Sequence, residues 1–246
     1  MRLNLGHLNF SAERIKGTLA QDTRPRLMVI MAHPDDAEFI CAGTVAKYIE
    51  DGYRVQYVLA TSGNKGSDDP HITPADLAAI REAEQEAAAR VLGVEEVTFL
   101  RHNDGELEVT LAFRKELALV LRRGRPDVVF TFDPWMHYQI HPDHRAVGQT
   151  ALDAIAAARD HLYYPEQLTE GLREHRVHQV YLFATEHPNY WVDITGTIEK
   201  KIAALLCHKS QIGQRDIATL IKERARAVGA EHGYPYAEAF KHLYLR

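Results

Sequence analysis

Residues 27–32 (LMVIMA) are apolar without a break, the pattern of a strand buried on both faces of a parallel sheet. The same kind of run recurs at 55–61 (VQYVLAT), 97–100, 128–132 (VVFTF) and 179–184 (QVYLFA). Between these runs the apolar positions take helical spacing. Residues 37–51 form the first such segment and end at Gly52, a residue suited to the position just past a helix. A Gly/Asn/Asp/Pro-rich loop (SGNKGSDDPHITP) precedes a strongly helical stretch at 75–92, which stops at Gly93. Helices are further predicted over 111–123, broken by Gly124-Arg-Pro, over 143–159, and around 196–207 and 215–228. Strands separated by helices imply right-handed βαβ crossovers, hence an α/β fold with a mostly parallel sheet and helices on both faces. Residues 1–25 have no clean period and read as an N-terminal arm, leaving 26–246 as a single domain. There is no internal repeat and no low-complexity tract.

In such a sheet, ligands bind beyond the carboxyl ends of the strands, where strand order reverses. Composition narrows what those ligands are. With 29 basic and 34 acidic residues the net charge is −5, so nothing draws this chain electrostatically onto nucleic acid or an anionic membrane. Cys41 and Cys207 fit neither a disulfide framework nor a Cys-rich zinc site, as in a reducing compartment. No signal peptide or membrane span is legible, and the expectation is a cytoplasmic protein. The one unusual count is histidine, at 14.

The histidines fall where the sheet would need them. After the first strand the chain reads AHPDDAEF, with His33, Asp35 and Asp36 in a turn that opens a helix. After the fourth it reads FDPWMHYQIHPDHRAVG, with His141, Asp143 and His144 opening another. His33 and Asp36 are three apart, as are His141 and His144, and side chains so spaced share one face of a helical turn. Either cluster alone reads as a helix cap, with Asp35 or Asp143 satisfying free N–H groups beside a proline. Two of them at neighbouring strand ends point to a metal centre. Imidazole nitrogens plus one carboxylate oxygen suit a tetrahedral zinc with one open position, the catalytic arrangement.

AHPDD at 32–36 together with HPDH at 141–144 resembles the PIG-L (LmbE-like) family of zinc-dependent N-acetylglucosaminide deacetylases. Supporting matches are TSG at 61–63, Arg81 with Glu84, LGV at 92–94, Asp104, TFDP at 131–134, WVDIT at 191–195 and KIAALLCHKSQ at 201–211. The first motif departs at Ala37, where an acidic residue often follows the two aspartates; here Glu38 comes one step later. The resemblance implies a Rossmann-like fold and one zinc per chain, or another divalent ion, held by His33, Asp36 and His144. It implies Asp35 as general base, His141 as general acid or oxyanion donor, and Asp143 holding a histidine protonated and correctly oriented. Arg81 and Asp104 are then expected at substrate hydroxyls, Trp135 and Tyr138 stacked on a sugar ring, and Asn189 and His208 also at the substrate. The expected partner is a small amino-sugar molecule.

His137, His161, His175, His178 and His187 read as surface or satisfied loop histidines. Loop 160–178 and an ordered arm would make subunit contacts, so a homo-oligomer is expected. Alternatives are a zinc amidase acting on another amide, such as a thiol-sugar conjugate, a non-catalytic zinc-binding module, or a nucleotide-binding module on the same sheet. The last is disfavoured because neither G-x-G-x-x-G nor G-x-x-x-x-G-K-S/T occurs. A mere zinc binder has no need of Asp35.

Overall fold

The computed structural model describes residues 22–169 and 171–246, so the expected arm lies outside the described residues except for its last four. From Arg26 the chain alternates strand and helix: β1 (Arg26–Met31), α1 (Asp36–Ile40), α2 (Ala42–Glu50), β2 (Arg54–Thr61) and α3 (Pro74–Leu92). There follow β3 (Glu96–His102), α4 (Leu111–Gly124), β4 (Val128–Phe132), α5 (Pro142–Ala158), α6 (Pro165–Leu168) and β5 (Gln179–Phe183). The C-terminal part holds β6 (Tyr190–Asp193), α7 (Ile198–Leu205), α8 (Lys209–Ile212), α9 (Ile217–Gly229), a 3-10 turn (Ala230–His232) and β7 (Ala237–Tyr244).

These elements start and stop for local reasons. Thr73 and Thr110 cap α3 and α4, each hydroxyl accepting a free backbone N–H three residues on. Gly93 ends α3 at φ 93°, a conformation that only glycine takes without strain. All of β4 and all but the first residue of β1 are buried, as their unbroken apolar runs predict.

The strands form one sheet in the order β3-β2-β1-β4-β5-β7-β6. The first five are parallel, and β7 runs antiparallel to both β5 and β6. Helices α4 and α5 form one packed layer, and α2, α3 and α7 another. The order reverses between β1 and β4, so the carboxyl ends of those two strands form the crevice where both His/Asp motifs sit.

Two features depart from the sequence pattern. The helix expected at 37–51 is broken at Cys41, where φ is −130°. The break is held by Glu238 of β7, whose carboxylate accepts the N–H groups of Gly43 at 3.1 Å and Thr44 at 2.7 Å. Lys201 Nζ donates to that carboxylate at 2.6 Å and to the Phe39 carbonyl at 3.0 Å. The break thus hands two backbone N–H groups to Glu238 and one carbonyl to Lys201. The second departure is β6 and β7 themselves, which the alternation of parallel units does not anticipate.

Helix α5 lies so close on β4 that a Cβ at Gly148 would sit 2.5 Å from the Phe132 carbonyl oxygen. Backbone cannot give way as a side-chain tip does. Gly148→Ala is expected to cost about 1–3 kcal/mol and lower the melting temperature by several degrees, read by thermal unfolding; an unchanged melting temperature would contradict the close approach.

Candidate active site

The turn after β1 is folded around the carboxylate of Asp36, whose Oδ2 accepts the N–H groups of Ala32 at 3.1 Å and His33 at 2.8 Å. That places Asp36 Oδ2 3.7 Å from His33 Nδ1. Asp35, between them and the helix, is at φ 92°, a left-handed conformation that is strained for a residue with a Cβ. Its backbone N–H donates to Gln85 Oε1 at 3.0 Å, and its carboxylate lies 3.3 Å from Arg81 Nη2.

After β4, Pro142 opens α5 and His141 caps it, Nδ1 accepting the N–H of Asp143 at 3.3 Å. One residue on, the His144 ring stacks on Phe132 with centroids 4.0 Å apart. That packing aims its Nε2 at Asp36 Oδ1, 3.3 Å away. The two motifs thus meet, and the His141 ring lies 4.5 Å from that of His33 and 4.6 Å from that of His144.

His33 Nε2 faces two carboxylates, Asp104 Oδ1 at 3.0 Å and Asp143 Oδ2 at 3.1 Å. Both are buried and anchored by backbone: Asp104 accepts from Lys65 N–H at 2.9 Å, and Asp143 from Gly105 at 2.7 Å and Leu107 at 3.1 Å. Two carboxylates on one ring nitrogen keep the proton there. Nδ1, which faces Asp36, is the nitrogen that would give up the ring's second proton when a metal takes its lone pair. This is the arrangement by which an outer carboxylate fixes the tautomer of a metal-ligating histidine.

The charges follow. Burial pushes the His33 imidazole down, but its hydrogen bonds with Asp104 and Asp143 outweigh it and hold the group at about 10. Burial likewise works against ionised Asp104 and Asp36. His33 and the Lys65 amide nevertheless hold Asp104 at about 2, and His144 and His33 keep Asp36 below its usual range. Asp35 differs. Burial, reinforced by the neighbouring Asp36 charge and only partly opposed by Arg81, raises it to about 7. His141 is lowered by burial and by the two histidines beside it. A buried carboxyl raised this far beside one that stays ionised marks Asp35 as a candidate for proton transfer and Asp36 as a standing anion.

Two sets of three donors lie within 4.8 Å of one another, His33 with His141 and His144, and His33 with Asp104 and Asp143. Asp36 touches both His33 and His144. Buried nitrogen and carboxylate donors, with one histidine's tautomer already fixed, suit a divalent ion of the zinc type. The structure supports a metal without choosing among ions.

Other sequence-derived positions turn out differently placed. Asp104, expected at a sugar hydroxyl, has both oxygens engaged by His33 and Lys65. Asp143, expected to hold a histidine, is fully buried with its carboxylate on His33. Arg81 is buried and donates to the carbonyls of Pro34 at 2.6 Å and Gly63 at 2.9 Å, so it clamps the Asp35 turn. Gly63 makes room, since a Cβ there would lie 2.3 Å from Arg81 Nη1. His208, expected at the substrate, has no exposed surface and instead faces Glu38. The Asn189 amide is used up pairing both ways with the backbone of His242. Trp135 and Tyr138 are 62% and 92% exposed after β4; Trp135 lines a cavity of about 220 Å³ with Leu152, Ile155, Val177 and Leu243, which includes none of the His/Asp cluster. Among the discounted histidines, His175 is buried and satisfied by the Pro126 carbonyl. Sequence reasoning missed Gln85 and Glu38, both fully buried; the one signal was Glu38 three residues from Asp35.

Because Asp143 acts through His33, Asp143→Asn should weaken metal affinity about 10–100-fold. Metal titration of the variant checks this, and an affinity equal to the parent's would remove Asp143 from the site.

A parallel α/β sheet with a buried His/Asp cluster at its switch point defines a class, the doubly wound proteins with a candidate hydrolytic metal centre. The chain belongs to the PIG-L family, described as GlcNAc-PI de-N-acetylase, which matches residues 28–155. It is 34% identical to diacetylchitobiose deacetylase of Thermococcus kodakarensis, over 88% of this chain and 82% of that one. It is 30% identical to 1D-myo-inositol 2-acetamido-2-deoxy-alpha-D-glucopyranoside deacetylase of Mycobacteroides abscessus, over 79% of this chain and 84% of that one. Among solved structures, N,N'-diacetylchitobiose deacetylase from Pyrococcus horikoshii in complex with an inhibitor superposes with a TM-score of 0.86 at 34% identity, covering 90% of this chain and 84% of that one.

Proposed function

We propose that this protein is a zinc-dependent hydrolase that removes the N-acetyl group of an N-acetylglucosamine-type sugar, giving acetate and a free amine. One observation carries the reading: His33, Asp36 and His144 converge at the switch point while the adjacent Asp35 stands apart from them with a titration near neutrality. The names of its relatives supply the substrate class. His33, Asp36 and His144 would hold the metal. When bound, a zinc ion supplies Lewis acidity toward a carbonyl and makes water acidic enough to ionise near neutral pH.

The chain's own groups do the rest. Asp35 takes a proton from the attacking water as its oxygen bonds to the acetamide carbon. His141 accepts from the Asp143 N–H through Nδ1, which leaves Nε2–H as a neutral donor toward the developing oxyanion. Burial and the two neighbouring histidines lower this imidazole and so favour its neutral form. As the C–N bond breaks, the proton held by Asp35 passes to the departing nitrogen, a transfer suited to a carboxylic acid titrating near 7. Asp104 and Asp143 hold His33, and Arg81 holds Asp35.

Among the described residues no helix is long and apolar enough to cross a membrane. Both cysteines are free thiols, in keeping with a cytoplasmic site of action. Exposed Leu162 and Tyr163 in loop 160–178 are the surface we assign to self-association.

The test is acetate release from N-acetylglucosamine, diacetylchitobiose, a simple acetamide and an acetyl-lysine peptide. The sugars should be preferred, because the relatives at 34% and 30% identity are named for acetylated amino sugars. Preference for the peptide would overturn the sugar assignment and leave a zinc amidase.

A further inference from the structure

The buried polar groups behind Asp35 form a chain that the reaction as described does not use. Asp35 N–H donates to Gln85 Oε1 at 3.0 Å, and Gln85 Nε2 donates to Glu38 Oε1 at 3.1 Å. Glu38 Oε2 lies 3.3 Å from His208 Nε2, within ion-pair reach but off the hydrogen-bonding direction. Gln85, Glu38 and His208 each have no exposed surface, and they come from three elements: α3, α1 and the residue before α8. The His208 segment is fastened to α3 a second time, by Ser210 N–H and Oγ donating to Glu84 at 2.8 and 2.6 Å.

Burying a carboxylate is expensive, and a shorter apolar side chain at 38 would pack without that cost. What Glu38 obtains is orientation. It fixes the Gln85 amide so that its oxygen, not its nitrogen, meets the Asp35 N–H, and that N–H belongs to the residue at φ 92°. A left-handed aspartate persists only where its surroundings over-determine it. Arg81 grips this turn from the Pro34 carbonyl side, and Gln85 grips it from the N–H side.

We propose that Gln85, held by Glu38 and backed by His208, is a positioning residue for Asp35: the buried chain sets the backbone conformation that turns the Asp35 carboxylate away from the metal ligands and toward the water. This rests on the deacetylase reading with Asp35 as base. Gln85→Leu in full-length, zinc-loaded protein should lower kcat for acetate release about 10–100-fold, with KM and metal content within about twofold of the parent. The exchange variant Glu38→Gln/Gln85→Glu keeps the net charge and an acceptor for the Asp35 N–H, with the amide at 38 now donating to the carboxylate at 85, and should recover kcat to within about threefold, although Gln85→Glu alone, which sets two buried carboxylates against each other, does not. A merely structural role gives the opposite split, a lower melting temperature with kcat per metal-loaded chain unchanged, and would overturn the proposal. If Gln85→Leu does not accumulate folded, the exchange variant decides against Gln85→Glu alone: recovery supports the chain, and no recovery at full metal content sinks it. Asp35→Asn separates the two failures. Activity near the parent's there removes the base itself, whereas an inactive Asp35→Asn beside a fully active Gln85→Leu removes only the positioning role.

Discussion

Asp35→Asn is expected to lose acetate release by about 10²–10⁴-fold, the usual contribution of a general base, while keeping its metal. The same variant should be more stable than the parent when both are metal-free. Asparagine fits the site: it tolerates a left-handed backbone and keeps an oxygen for Arg81. The stability gain follows from the carboxyl's rise from an ordinary 3.8 to about 7. A carboxyl raised in the folded state disfavours its own ionisation there, so it costs nothing below pH 3.8, costs progressively more from pH 4 to 7, and costs its full amount above 7. The ceiling is about 4 kcal/mol. In chelated protein, the melting-temperature difference between Asp35→Asn and parent should therefore widen from pH 4 to 7 and then level off. A difference that stays flat or narrows would show that Asp35 is not strained electrostatically. Because the base must be ionised to accept a proton, kcat should also fall as acid protonates it.

The second large effect belongs to Asp36. Its carboxylate accepts two turn amides and touches both His33 and His144, so removing it takes away a proposed metal ligand and the pivot of the turn together. Asp36→Ala should lose both the metal and essentially all activity, and added zinc at concentrations that saturate the parent should not restore it. Metal analysis beside the activity assay distinguishes this from Asp35→Asn, which retains the ion. A metal content near one per chain in Asp36→Ala would instead assign the ligands to a set without Asp36, either His33, His141 and His144 or His33, Asp104 and Asp143.

How much of this was legible depends on how local each cause is. The runs LMVIMA and VVFTF announce β1 and β4 because a strand covered on both faces needs apolar residues at every position. Helix α3 is legible to within a residue from its spacing and from Gly93. Strand β6 is four residues long and β7 interleaves lysine and histidine with apolar residues, since both lie toward the sheet's antiparallel margin, where one side chain in two need not be buried. The convergence of His33, Asp36 and His144 was readable because a parallel sheet sends its strand ends to one edge. The partners of those residues were not. Asp104 and Asp143 look like turn and cap residues until folding brings them onto His33, and Gln85 sits in a helix whose neighbours are mostly charged. The break at Cys41 is set by Glu238, a residue 195 positions from the Gly43 amide it receives.

The strand order has a consequence for how the protein comes into being. His33 and Asp143 touch across a separation of 110 residues because β4 returns from beyond β3 to lie against β1. A chain emerging from the ribosome with its first three strands complete carries one half of the metal cradle and nothing to close it. Only when β4 has inserted and α5 has begun do His141, Asp143 and His144 arrive. On the proposed ligand set, capture of an ion would therefore report that the least local pairing in the sheet has formed, a state that a half-made or mispaired chain does not reach.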